Sequence, residues 1–157
     1  MESKIIFRPA REEEKETIVE FQMLMAQETE QLALDQHKVE QGVSAVFDHP
    51  LYGNYYVAAL ESKIVACMLT TFEWSDWRNA MVWWLQSVYV LPEYRRQGVF
   101  RLMYEKIREQ VMLLPEVSGI RLYMHHSNSR GAKVYNAMGM DGENYKMFEW
   151  IKPDLPY

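Results

Sequence analysis

The sequence predicts an α/β fold with a mixed, mainly antiparallel central sheet flanked by helices. Three observations predict it. Three stretches rich in aromatic and β-branched residues follow one another between positions 55 and 90, separated by short turn segments. Two helical stretches precede them, and the order helix, strand, helix, strand follows them. The chain has 157 residues, 48% of them hydrophobic, which suffices for one packed core, so a single domain covering residues 1–157 is expected.

Residues 4–8 read as a short strand ended by Pro9, which has no N–H to continue a ladder. The acidic run Arg11-Glu12-Glu13-Glu14 then opens a helix, because carboxylates favour the positive end of the helix dipole. Ile18, Phe21, Met25 and Leu32 recur near helical spacing and extend that helix to about Leu34. A second helix is expected over residues 37–47, ended by Asp48-His49-Pro50 and Tyr52-Gly53-Asn54. Strands follow at 55–60, 63–74 and 80–90, joined by turns at Glu61-Ser62 and at 75–79, which makes an antiparallel meander. An amphipathic helix at 99–114, a strand at 119–125, a helix at 129–138 and a last strand at 145–151 complete the chain. No internal repeat, low-complexity tract or linker interrupts it.

The formal charge of −5 and the pI near 5.4 argue against nucleic acid or an anionic membrane as a main partner and suit a cationic or neutral one. The single Cys67 excludes an intrachain disulfide framework. With no apolar leader over residues 1–11, it leads us to expect a cytoplasmic protein. No apolar run is long enough to span a bilayer.

Chemistry concentrates in Val88-Tyr89-Val90-Leu91-Pro92-Glu93-Tyr94-Arg95-Arg96-Gln97-Gly98-Val99-Phe100-Arg101, where a strand meets a proline break, a basic glycine loop and a helix. That order builds an anion site, since glycine permits close backbone approach and the helix start offers unpaired amides and a positive dipole end. A diphosphate fits it. A P-loop would need Gly-Lys followed by Ser or Thr, and a dinucleotide fold three spaced glycines; neither is present. A second segment, Ser127-Asn128-Ser129-Arg130-Gly131-Ala132-Lys133-Val134-Tyr135-Asn136-Ala137-Met138-Gly139-Met140, has Asn beginning a short helix, Tyr seven residues on, and Gly with an apolar residue ending it.

The two segments together resemble the signatures of the GNAT superfamily, the acetyl-CoA-dependent N-acetyltransferases. The first departs from the family at Phe100, where Gly or Ala is usual. The resemblance implies a GNAT-like sheet in which the fourth and fifth strands run parallel and splay apart, with the acyl-CoA in the opening. It implies that Val88, Tyr89 and Val90 bond the pantetheine and polarise the thioester, and that Arg95, Arg96, Gln97, Gly98, Val99, Phe100 and Arg101 hold the diphosphate. Asn128 and Lys133 would contact the cofactor from the other side, and Tyr135 would protonate the departing thiolate. Many members carry a glutamate where this chain has Gln86, which cannot usefully accept a proton, so Glu73 near the end of the preceding strand is the candidate base, acting through water.

The expected activity is therefore transfer of acetyl from acetyl-CoA directly to a primary amine on a small molecule or peptide, with no metal. The alternatives are a non-catalytic acyl-CoA-binding module, or an acyltransferase that acts on a protein N-terminus or uses a longer acyl-CoA. An exposed final strand and the family's habit imply a homodimer. Other features have plainer readings. Of Trp74, Trp77, Trp83 and Trp84, the inward-facing member of the last two is core, while Trp74 and Trp77 stay open between packing and an acceptor wall. His125-His126 lacks a second ligand cluster, Cys67 lies among apolar residues as an inert thiol, and the 11 methionines fill the core.

Overall fold

Residues 4–153 are described in the computed structural model of the chain. They form β1 (Ile5–Pro9), a 3-10 turn at Glu12–Glu14, α1 (Lys15–Glu30), α2 (Gln36–Asp48), β2 (Asn54–Leu60), β3 (Lys63–Ser75) and β4 (Ala80–Val90). A 3-10 turn at Pro92–Tyr94, α3 (Val99–Leu113), β5 (Val117–Leu122) and α4 (Ser129–Ala137) follow. The sheet order is β1-β2-β3-β4-β5, antiparallel from β1 to β4, with β5 parallel to β4. This is the expected mixed α/β class.

The alternation of side chains along β2 explains why helices lie on both faces. Tyr55 stacks on Phe47 of α2, with ring centroids 5.8 Å apart, while its neighbour Tyr56 points the other way and its hydroxyl donates to Gln110 Oε1 of α3 at 3.3 Å. On the α1/α2 face, Ile18, Val19, Phe21 and Val43 pack with Tyr55, Val57, Cys67, Leu69 and Tyr89. Met103 and Ile107 of α3 are wholly buried. Each such apolar side chain contributes on the order of 1.5–3 kcal/mol of transfer free energy.

The first helix is shorter than its apolar spacing suggests. It stops at Glu30 because Gln31 turns left-handed at φ 53 and donates its N–H to Ala26 C=O. Asp35 then restarts a helix as the N-cap of α2, accepting from Lys38 N–H at 3.2 Å. The strand expected at 145–151 does not form. Those residues carry no strand structure, and Phe148 and Trp150 are 93% and 80% exposed. Strand propensity expresses packing against a partner edge, and composition alone does not supply one.

The chain divides into two compact units, one ending at Arg121 and one beginning at Leu122. The first holds β1 to β4, α1 to α3 and nearly all of β5; the second holds α4. Among the described residues no helix is long and apolar enough to cross a membrane.

Candidate active site

The end of β4 is shaped by a bulge. Leu69 of β3 faces Gln86, yet Cys67 faces Tyr89, so β4 carries one extra residue there, and Ser87 takes φ 51. On the opposite edge β5 meets β4 at their starts: Met81 N–H donates to Glu116 C=O at 2.8 Å and Ser118 Oγ to Met81 C=O at 3.2 Å. Val88, Tyr89 and Val90 lie at the other end of β4. Tyr89 and Val90 pair with Cys67 and Ala66 of β3, and Val90 C=O also accepts from Arg95 Nε.

The loop after β4 turns on itself. Tyr94 N–H donates to Leu91 C=O at 2.9 Å and Arg95 N–H to Pro92 C=O at 3.2 Å. Arg96 and Gly98 then adopt φ 62 and 79, and Gly98 is the N-cap of α3. Glycine has no side chain to cap the amides that open α3, and a β-carbon built on Gly98 would meet nothing within 4 Å. The amides of the first turn thus receive no side-chain cap from Gly98, and they stand at the positive end of a helix of 15 residues. Val99 is buried in the core, so its contribution to an anion is its N–H alone; Arg96 and Arg101 are exposed.

Arg95 behaves differently from its neighbours. Its Nε donates to Val90 C=O at 2.8 Å, its Nη2 to Glu28 Oε2 at 2.6 Å, and its guanidinium lies 5.4 Å over the Tyr89 ring. What it offers a diphosphate directly is thus its backbone. Gln97 also folds back, donating to Glu93 C=O at 2.7 Å, and Lys63 braces the turn through Glu93 at 3.1 Å and the Tyr94 ring at 5.0 Å. Glu28 is the residue sequence reasoning missed: it accepts from both Arg95 and the Tyr89 hydroxyl, the latter at 2.8 Å. Burial works against its charge, but those two hydrogen bonds and the nearby guanidinium hold its carboxyl below the usual value. Burial, then the Glu28 carboxylate, pushes the Tyr89 hydroxyl up to about 12.

Glu73 sits at the opposite end of the sheet. It faces Val82 in the ladder, seven residues before Tyr89, or roughly 23 Å at ~3.3 Å per residue. Both its oxygens are engaged, by Trp84 Nε1 at 2.8 Å and Arg121 Nη1 at 2.5 Å. Gln86 donates to Thr71 Oγ1 at 2.7 Å. Trp77 is 91% exposed at the hairpin tip and Trp74 is also exposed, while Trp83 and Trp84 are half-buried. Cys67 is wholly buried, and burial pushes its thiol up to about 12.

In the second unit Asn128 caps α4, its Oδ1 accepting from Gly131 N–H at 2.9 Å. Gly139, at φ 84, closes the helix with a paired exit: Met140 N–H donates to Tyr135 C=O at 3.1 Å and Gly139 N–H to Asn136 C=O at 3.0 Å. Tyr135 is half-buried, which raises its hydroxyl above the ordinary phenol value, and Lys133 is exposed. His125 Nδ1 lies 2.7 Å from Ser127 Oγ, and no described residues group as a metal site.

The comparisons with known proteins agree with this architecture. The family model of the acetyltransferase (GNAT) domain matches residues 52–139. A crystal structure described as a possible acetyltransferase from Clostridium difficile 630 is 36% identical, with a TM-score of 0.88 over 94% of this chain and 97% of that one. A structure from Clostridium acetobutylicum, described as a predicted acetyltransferase with acetyl-CoA, shares the fold at a TM-score of 0.73 and 14% identity, over 93% of this chain and 96% of that one. Thialysine N-epsilon-acetyltransferase of Bos taurus is 34% identical over 76 residues, 48% of this chain and 44% of that protein. The chain thus spans less than half of that curated relative. The family match covers more than half of the chain and takes in both the loop that opens α3 and the α4 segment, and the chain belongs to the GNAT acetyltransferase family.

Proposed function

We propose that the protein transfers the acetyl group of acetyl-CoA directly to a primary amine, without a covalent enzyme intermediate. One observation carries this: Gly98, at φ 79 and making no side-chain cap, opens a helix of 15 residues directly after the end of β4 and a basic loop. The cofactor supplies, when bound, an acyl group already activated as a thioester. The protein supplies placement and charge. The amides of Gly98, Val99, Phe100 and Arg101, with the side chains of Arg96 and Arg101, hold the diphosphate. Backbone groups of Val88, Tyr89 and Val90 bond the pantetheine and polarise the carbonyl. The amine lone pair forms the new C–N bond as the C–S bond breaks, and the Tyr135 hydroxyl gives its proton to the sulfur. A phenol is protonated at neutral pH, and burial raises its pKa further. Asn128 and Lys133 remain proposed cofactor contacts.

Gln86 is an amide and takes no proton, and Glu73 serves as a base through water only if its bonds to Trp84 and Arg121 open. The geometry favours an amine that loses its proton to solvent. The name of the bovine relative makes the ε-amine of thialysine or lysine the first acceptor to try. A cytoplasmic location belongs to the same proposal. A second reading, an acyl-CoA-binding module without turnover, draws on Gln86, which is occupied by Thr71.

One experiment separates them. The protein is incubated with acetyl-, propionyl- and longer acyl-CoAs against thialysine, lysine, polyamines and a peptide N-terminus, and free thiol is followed. Thiol release with acetyl-CoA and a small primary amine supports the proposal. Coenzyme A binding with no release from any pair points to the binding module, and preference for a longer acyl-CoA or the peptide overturns the acyl or acceptor assignment.

A further inference from the structure

The loop that opens α3 contains a conformation that needs outside support. Arg96 holds φ 62, which for a non-glycine residue persists where surrounding contacts fix it. The fixing contacts lie on either side of it. Gln97 is tied to Glu93 C=O, and Arg95 is tied at three places: Val90 C=O on β4, the face of the Tyr89 ring, and the Glu28 carboxylate on α1. Glu28 is itself held, since its second oxygen accepts from the Tyr89 hydroxyl. The carboxylate therefore sets the direction of the side chain of Arg95, the residue next to the left-handed Arg96.

We propose that Glu28 is a positioning residue for the cofactor loop, straining Arg95 back against β4 so that the Arg96 to Gly98 backbone stands ready for a diphosphate. The inference rests on the acyl-CoA reading of that loop. It makes Arg95 a strap and not a phosphate ligand. A loop already in its bound shape binds without first losing the population held in other shapes, and releasing the strap restores that loss.

The test is calorimetry of coenzyme A with the wild type, Glu28→Gln, Arg95→Gln and the double variant, with a thermal melt of each. Glu28→Gln keeps the side chain's shape and an acceptor for Tyr89 while removing the charge that holds Arg95. Each single change is expected to weaken binding about tenfold, and the double about as much as either single, because both break one strap. At saturating acetyl-CoA the turnover of Glu28→Gln should match the wild type, so the loss appears in KM and not in kcat. Wild-type affinity in Glu28→Gln, whether or not its melting temperature falls, overturns the inference. So does a loss in Arg95→Gln that Glu28→Gln does not share, which would make Arg95 a direct phosphate ligand, or a double variant whose losses multiply. If the wild type itself does not bind coenzyme A, the acyl-CoA reading falls and this inference with it; binding by the wild type isolates the fate of Glu28.

Discussion

Gly98 gives the most discriminating test of the diphosphate site, because its substitution has separable costs in the free and bound protein. In the free protein a new β-carbon meets nothing within 4 Å, so Gly98→Ala has no steric clash to relieve. What remains is the backbone, held at φ 79 and ψ 8, and a left-handed non-glycine residue costs about 1–2 kcal/mol. For a chain of this length that lowers the melting temperature by roughly 2–8 °C. In the bound protein the same methyl group enters the space through which an anion reaches the loop amides, so affinity for coenzyme A should fall by about 10- to 100-fold, and further for Gly98→Val. Melting curves give the first quantity and calorimetry with coenzyme A the second. A folded Gly98→Val variant that binds coenzyme A as the wild type does would refute the loop as the diphosphate site.

Three other outcomes are expected. Tyr135→Phe keeps the ring and loses the proton, so turnover at saturating substrates should fall by about 10² or more while coenzyme A affinity holds; equal turnover across pH would reduce Tyr135 to packing. The buried Cys67 thiol should resist thiol reagents in the native state. Because folding raises its pKa to about 12, its contribution to stability is complete below the ordinary thiol value and is lost as pH climbs through about 12. Urea unfolding at successive pH values above about 8.5 should therefore show a shallower decline for Cys67→Ala than for the wild type. Light scattering at micromolar concentration should give twice the 18.7 kDa chain mass, with the exposed Phe148 and Trp150 region in the interface, and a monomer mass would rule the dimer out under those conditions.

The meander was legible because each hairpin strand is long, apolar and bounded by turn residues, and β4 runs over Ala80–Val90 as expected. The end of α1 was not, since the left-handed exit is made by Gln31 instead of glycine, although Asp35 as an N-cap is a signal that a shorter helix could have been read from. The turn into α3 was legible from its proline, its glycine and the helix start. The direction of Arg95 was hidden, because composition counts a charge without saying where it points, and its partner Glu28 lies 67 positions earlier. No local pattern links two such residues. The bulge at Ser87 was equally hidden, since its evidence is a count of residues on two strands together.

These hidden features set the two ends of β4 apart. At its start, β5 is held by backbone and side-chain bonds to Met81, and the Glu73 to Arg121 pair reaches from β3 to β5, with Trp84 of β4 donating to the same carboxylate. Glu73, the residue chosen as a base from its position in sequence, is bonded into that closed end. Toward the other end the bulge adds a residue to β4, β5 stops, and Glu28 and Tyr89 gather Arg95 on the α1 side. The charged pair at one end joins strands, while the one at the other ties Arg95 to α1. Removing the first, by Glu73→Gln, should lower stability and leave coenzyme A affinity nearly unchanged; removing the second should do the reverse. Equal effects of the two substitutions on affinity would mean that the two ends of the strand are not independent, and that the opening is set by the sheet as a whole.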